Sequence, residues 1–191
     1  MALPAKKARY TFADCLTWGE DERIEIIDGE AIMMAPPSSR HQEISGALFA
    51  QLYNYLEGKQ CRVYAAPFAV RLFEQDGDAP EDVDTMVEPD LSVICDRNKI
   101  DKKGCKGAPD LVIEILSPST QRHDRLVKLG LYQRAGVREY WIVDTENRTV
   151  QIMLHGGDGT LQLHEVYSQG DIARVNVLEG CFIDLSKVFS E

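Results

Sequence analysis

Hydrophobic and polar positions fall into three patterns along the chain. Ile44, Leu48, Leu52 and Leu56 recur every four residues. They predict a helix of about five turns, entered at the Pro36-Pro37-Ser38-Ser39 break, which offers an N-cap, and ending near Gly58. Residues 23–34 read as two short strands around Asp28-Gly29, the pair of residues a tight hairpin turn needs. Val87–Cys95, Leu111–Leu116 and Glu139–Asp144 are short apolar runs suited to buried strands. Between the last two, Ser119-Thr120 caps a helix running to about Ala135, and Gly136 supplies the left-handed stop. A strand, a helix of this length and a second strand form a crossover, so those two strands should be parallel.

The rest of the chain fills in around this unit. Thr11 caps a short helix within Tyr10–Glu22, and Cys61–Leu72 fits one or two strands. Glu74–Asp90 holds eight acids and no base, and reads as a solvated connection. Arg97–Gly107 is a basic, glycine-containing stretch between strands. Three further strands are expected at Thr149–Leu154, Gln162–Tyr167 and Ala173–Val177, then a terminal helix near Leu185–Phe189. The class is α+β, a mixed sheet with two principal helices.

Length and composition narrow this further. The 191 residues suit one domain, large enough to bury roughly 70% of its unfolded surface without metal or disulfide. No apolar run approaches the roughly 20 residues of a membrane span. Lys6, Lys7 and Arg9 are followed by no apolar segment, so no secretory signal is expected. Five cysteines, an odd number with no CxxC pair, read as free thiols in a reducing cytoplasm.

The net charge of −10 argues against a nonspecific polyanion binder, but the charge is segregated. Arg97 to Arg138 contains ten bases against four acids, a local excess of six positive charges in an acidic protein. A solvated surface with no partner and a local footprint for an anionic ligand both fit that pattern.

Two carboxylates interrupt apolar strands: Asp90 in Glu-Pro-Asp-Leu-Ser-Val-Ile and Glu114 in Leu-Val-Ile-Glu-Ile-Leu. A carboxylate there is costly unless it is paired or holds a cation. Each alone fits an ion pair at a strand end. Together, on neighbouring strands and pointing to one side, they suit Mg²⁺ or Mn²⁺. Helical spacing puts Gln121, Asp124, Lys128 and Tyr132 on one stripe, with Leu126 and Leu129 expected on the buried side. Lys128 is then either an exposed partner of Asp124, worth a few tenths of a kcal/mol, or a cation reaching the Glu114 site.

The set Asp90, Glu114-Ile-Leu-Ser-Pro-Ser-Thr120, Asp124, Lys128, Tyr132, Gly136 and Glu139-Tyr-Trp-Ile-Val-Asp144 resembles the Uma-two family, a branch of the PD-(D/E)XK nuclease superfamily. Asp28-Gly29-Glu30, Pro36-Pro37 and His41 resemble its N-terminal half. The resemblance implies a restriction-endonuclease-like domain over residues 1–191, with a core at about 10–154 and a C-terminal β extension at about 155–191. It implies Asp90 and Glu114 as metal ligands, the Ile115 carbonyl as a third, and Lys128 as the catalytic cation. Leu116 stands where the superfamily usually has that lysine. Glu43 and Glu25 are rival candidates for a further acid, and His41 and Asp124 are additional candidates.

The implied activity is a Mg²⁺- or Mn²⁺-dependent endonuclease hydrolysing phosphodiesters of nucleic acid, DNA in preference to RNA. Lys99, Lys102, Lys103, Arg122 and Arg125 would approach the phosphate backbone. The alternative is an inactive nuclease-fold protein that binds nucleic acid or serves as a structural module, with room for a homodimer through the C-terminal strands. The four histidines are widely separated and suggest no zinc site. The Ser117-Pro-Ser-Thr segment lacks the surroundings of a serine nucleophile, and no phosphate-cradling glycine loop is present. On this reading Lys128→Ala abolishes cleavage and leaves stability nearly unchanged.

Overall fold

The computed structural model describes residues 7–19, 23–117 and 123–190. A one-turn helix α1 (Phe12–Cys15) starts after Thr11, whose N–H is accepted by the Asp14 carboxylate at 3.0 Å. Strands β1 (Ile24–Ile27) and β2 (Glu30–Met33) form the expected hairpin. Asp28 and Gly29 both take positive φ, 50° and 84°, as its two-residue turn requires. Helix α2 (Ser39–Leu56) runs for 18 residues, capped by the Ser38 hydroxyl on the His41 N–H at 3.2 Å. Its stripe Ile44, Leu48, Leu52 and Leu56 is fully buried.

Strands β3 (Arg62–Ala65), β4 (Val70–Arg71) and β5 (Leu91–Ile94) follow, the last being the buried run that begins just after Asp90. The acidic connection is exposed over residues 75–79 and at Glu81 and Asp82. Its end is not: Met86 bridges to Ile26 and Val87 to Val70, and all four are buried. The basic stretch also departs from expectation, because it folds as a hairpin of β6 (Ile100–Asp101) and β7 (Gly104–Lys106), with β4 parallel to β7. Strands this short carry no alternation to read.

The crossover is as expected. Strand β8 (Leu111–Ile115) leads through a π-helical segment, His123–Lys128, into α3 (Leu129–Ala135), which Gly136 closes at φ 79°. Strand β9 (Glu139–Asp144) then lies parallel to β8. The chain finishes with β10 (Thr149–His155), β11 (Leu161–Ser168), β12 (Ile172–Arg174), β13 (Phe182–Asp184) and α4 (Leu185–Val188). The expected caps Ser119 and Thr120, with Arg122, lie outside the described residues.

The central sheet has the order β11-β10-β9-β8-β5-β3, antiparallel except at β8-β9. Alternation divides β8 between two cores. Leu111, Ile113 and Ile115 face α2 and the C-terminal hairpin, in a cluster with Ile183, Leu185 and Phe189. Val112 and Leu116 belong to the opposite cluster, with Leu131 and Tyr132 of α3. Glu114, between Ile113 and Ile115, is therefore on the α3 side. No helix among the described residues is long and apolar enough to cross a membrane.

The cysteine reading needs correction. The β3-β5 register sets Arg62 opposite Ile94, which brings Cys61 and Cys95 face to face, and they are disulfide-bonded. Cys15, Cys105 and Cys181 remain thiols. Spacing along the sequence cannot show a cross-strand pairing of this kind.

Two glycines should respond in opposite directions to alanine. At Gly104, φ is 125° and an added Cβ would sit 2.1 Å from the Ala69 carbonyl oxygen. Gly104→Ala should destabilise by at least about 1–3 kcal/mol. Gly46 lies inside α2 with nothing within 4 Å of an added Cβ. Gly46→Ala should stabilise by about 0.5–1 kcal/mol. Denaturant melts of the two variants check both signs.

A buried carboxylate–lysine site at the end of the sheet

Glu25 and Glu114 lie on different layers of the fold, β1 of the hairpin and β8 of the central sheet, and one ammonium group joins them. The Lys128 Nζ donates to Glu114 Oε1 at 2.9 Å and to Glu25 Oε1 at 3.0 Å. All three side chains are buried. One helical step beyond Lys128, the Tyr132 hydroxyl donates to the same Glu114 oxygen at 2.5 Å. Burial, with the Glu114 carboxylate beside it, holds the Tyr132 phenol well above its usual range, so it stays a donor.

Glu25 Oε1 also accepts the Glu88 N–H at 2.9 Å, while its Oε2 is buried with no hydrogen-bond partner among the described residues. The Glu88 carboxyl is pushed above the ordinary carboxylate range, chiefly by burial. Its Oε2 lies 3.6 Å from the Arg23 Nε, too long for a hydrogen bond.

Asp90 stands one residue before β5. Extending the Leu91–Ile113 register by one step sets it opposite Glu114. Its Oδ2 accepts the Ile115 N–H at 2.8 Å and lies 3.1 Å from the His41 Nε2 at the start of α2. Its side chain is 17% exposed against 4% for Glu114, so the site opens at the Asp90 end. Ile115 thus contributes its amide here.

The structure brings Asp90, Glu114, Lys128, Glu25 and His41 to one end of the sheet and leaves Glu43 out. Glu43 is exposed on α2 and paired with Arg40 at 3.3 Å. Lys128 is no surface partner of Asp124, since its side chain is buried; the side chains of Asp124 and Arg125 lie outside the described residues. Leu126 is exposed rather than buried, because a π turn is wider than an α turn and shifts the stripe before Lys128. Tyr132 and Glu88 were missed as site residues. Tyr132 had a signal, being four residues after Lys128, whereas Glu88 joins only through tertiary packing.

The basic stretch is largely tied down. Arg138 pairs with Asp110 at 2.9 Å, Arg134 with Asp28 at 2.9 Å and Lys106 with Glu74 at 3.8 Å. Arg97 donates to the Gln60 and Lys59 carbonyls, and Lys99 to that of Ala108. Lys102 and Lys103 are exposed at the β6-β7 turn.

Burial reverses the expected stability effect at Lys128. Removing it leaves two buried carboxylates facing each other, so Lys128→Ala should cost about 3–5 kcal/mol in denaturant melts. At Glu88 the folded state holds its proton above the ordinary value of 4.5. The stability tied to that proton is present below this value and lost as pH rises through the raised one. The melting temperature of the wild type should therefore fall relative to Glu88→Gln as pH rises above 4.5. Parallel profiles would contradict this.

A solved structure of "a putative nuclease belonging to DUF820" from Anabaena variabilis superposes with a TM-score of 0.73, covering 95% of this chain and 98% of its own, at 20% identity. The two share a fold. "Uncharacterized protein slr1290" of Synechocystis is 29% identical over 149 residues, 75% of this chain and 73% of its own length. The model of the Uma2 family, described as "Putative restriction endonuclease", matches residues 12–186. That span takes in the hairpin, both principal helices and every residue of the buried site, and the chain belongs to the Uma2 family.

Proposed function

We propose that the protein is a Mg²⁺- or Mn²⁺-dependent nuclease that hydrolyses phosphodiester bonds of DNA. The observation that carries this is the placement of Asp90 and Glu114 at facing positions of adjacent strands, with the Lys128 ammonium 2.9 Å from Glu114. The residues fit such a cation. The donors are all oxygen, as a hard divalent ion prefers. Among the described residues no three metal-ligating side chains converge. Magnesium characteristically takes one or two protein carboxylates and fills its shell with waters and substrate phosphate.

Asp90 and Glu114 would hold the ion, with the Ile115 carbonyl as the further oxygen the resemblance implies. When bound, the cation supplies a Lewis acid and lowers the pKa of water at the site. The chain's own groups do the rest. Lys128, 2.9 Å from Glu114, would offset negative charge developing on phosphorus. Tyr132 and Glu25 hold Glu114 and the ammonium in place, and the exposed Asp90 end admits the strand. Lys102 and Lys103, exposed at the β6-β7 turn, would be the bases that meet its phosphates.

One observation favours the inactive nuclease-fold reading. Lys128 is fully buried and already engaged by two carboxylates, which would suit a purely structural lock. A nuclease assay across single-stranded, duplex and structured DNA and RNA separates the two. Cleavage should require Mg²⁺ or Mn²⁺, stop with chelator, and be lost in Asp90→Ala with the fold retained by circular dichroism. Absence of cleavage on every substrate, or cleavage in chelator, would sink the proposal.

A further inference from the structure

Two protein donors converge on a single oxygen of Asp90. The Ile115 N–H reaches Oδ2 at 2.8 Å and the His41 Nε2 lies 3.1 Å from the same atom. Asp90 Oδ1 has no hydrogen-bond partner among the described residues. We propose that His41 is a positioning residue for Asp90: its Nε2–H fixes Oδ2, so that Oδ1 is presented to the divalent cation. This rests on the metal-dependent reading above.

The tautomer follows from burial. His41 Nδ1 is buried without a hydrogen-bond partner among the described residues. A proton on Nδ1 would bury an unpaired N–H and turn the Nε2 lone pair toward a carboxylate. A proton on Nε2 avoids both and gives Asp90 a donor. The ring is also rigidly carried. His41 sits in the first turn of α2, its N–H is held by the Ser38 hydroxyl, and the next turn is anchored by the fully buried Ile44. The helix thus transmits the position of one sheet face to a carboxylate at the sheet's end. Hydrogen bonds of this kind to metal-ligating groups typically alter metal affinity by roughly 10–100-fold when removed.

The test is Mn²⁺ binding to the full chain, followed by electron paramagnetic resonance of the free ion. Wild type, His41→Ala, His41→Leu and His41→Gln are compared, with thermal melts run in parallel. His41→Leu guards against loss of folding through an emptied volume, and His41→Gln restores an N–H donor. The expected result is Mn²⁺ affinity weakened roughly 10-fold or more in His41→Ala and His41→Leu. Most of it should return in His41→Gln, with no matching trend in melting temperature. A purely packing role would let His41→Leu bind as wild type does and leave His41→Gln without advantage, and either result overturns the inference while the nuclease reading stands. If the folded wild type binds no Mn²⁺, the metal-dependent reading fails and takes this inference with it.

Discussion

The buried ammonium of Lys128 holds three elements of the fold together. It joins residues 103 positions apart, tying the N-terminal hairpin to the crossover helix, and the same group ties that helix to β8. Among the described residues the two carboxylates accept from the ammonium, the Tyr132 phenol and the Glu88 N–H, away from water. Such a cluster is a poor way to gain stability, because well-packed apolar residues of similar volume do as well or better. What it provides is specificity. The hairpin, the helix and the strand can dock in only one way if the three charged groups are all to be satisfied.

Much of this was legible in the sequence, for identifiable reasons. The α2 stripe, the hairpin around Asp28-Gly29 and the strand–helix–strand crossover rest on local periodicity and turn chemistry, which act over a few residues. Asp90 and Glu114 stood out because a charge inside an apolar run is expensive wherever it lies. What could not be read was set by contacts between distant segments. The β6-β7 hairpin is held by its pairing with β4, and the Cys61–Cys95 bond by the β3-β5 register. The choice between Glu25 and Glu43 was undecidable because each is an acid in a plausible element. Only tertiary packing buries one beside Lys128 and leaves the other with Arg40 in solvent.

The most instructive failure concerns the helix face. A regular 3.6-residue period put Leu126 inside, yet it is outside and Lys128 is inside. The π-helical stretch His123–Lys128 breaks that period immediately before the site. The swap replaces an apolar contact by a charged one, a cost that local preference does not favour and that the Glu25–Glu114 pair offsets. Such insertions concentrate at functional positions for this reason: they re-aim a side chain without displacing the rest of the helix.

The division of labour between the sheet's faces also explains where chemistry can occur. Glu114 and Lys128 are buried on the α3 side. Asp90 is the exit, since it lies just before β5, where the hydrogen-bonded ladder begins, and keeps part of its surface in solvent. Helix α2 reaches that point from the opposite face through His41, and α3 reaches Glu114 from its own. The site is therefore assembled where two helix layers meet the end of one sheet. Each layer positions one carboxylate, and of the two Asp90 is the more exposed.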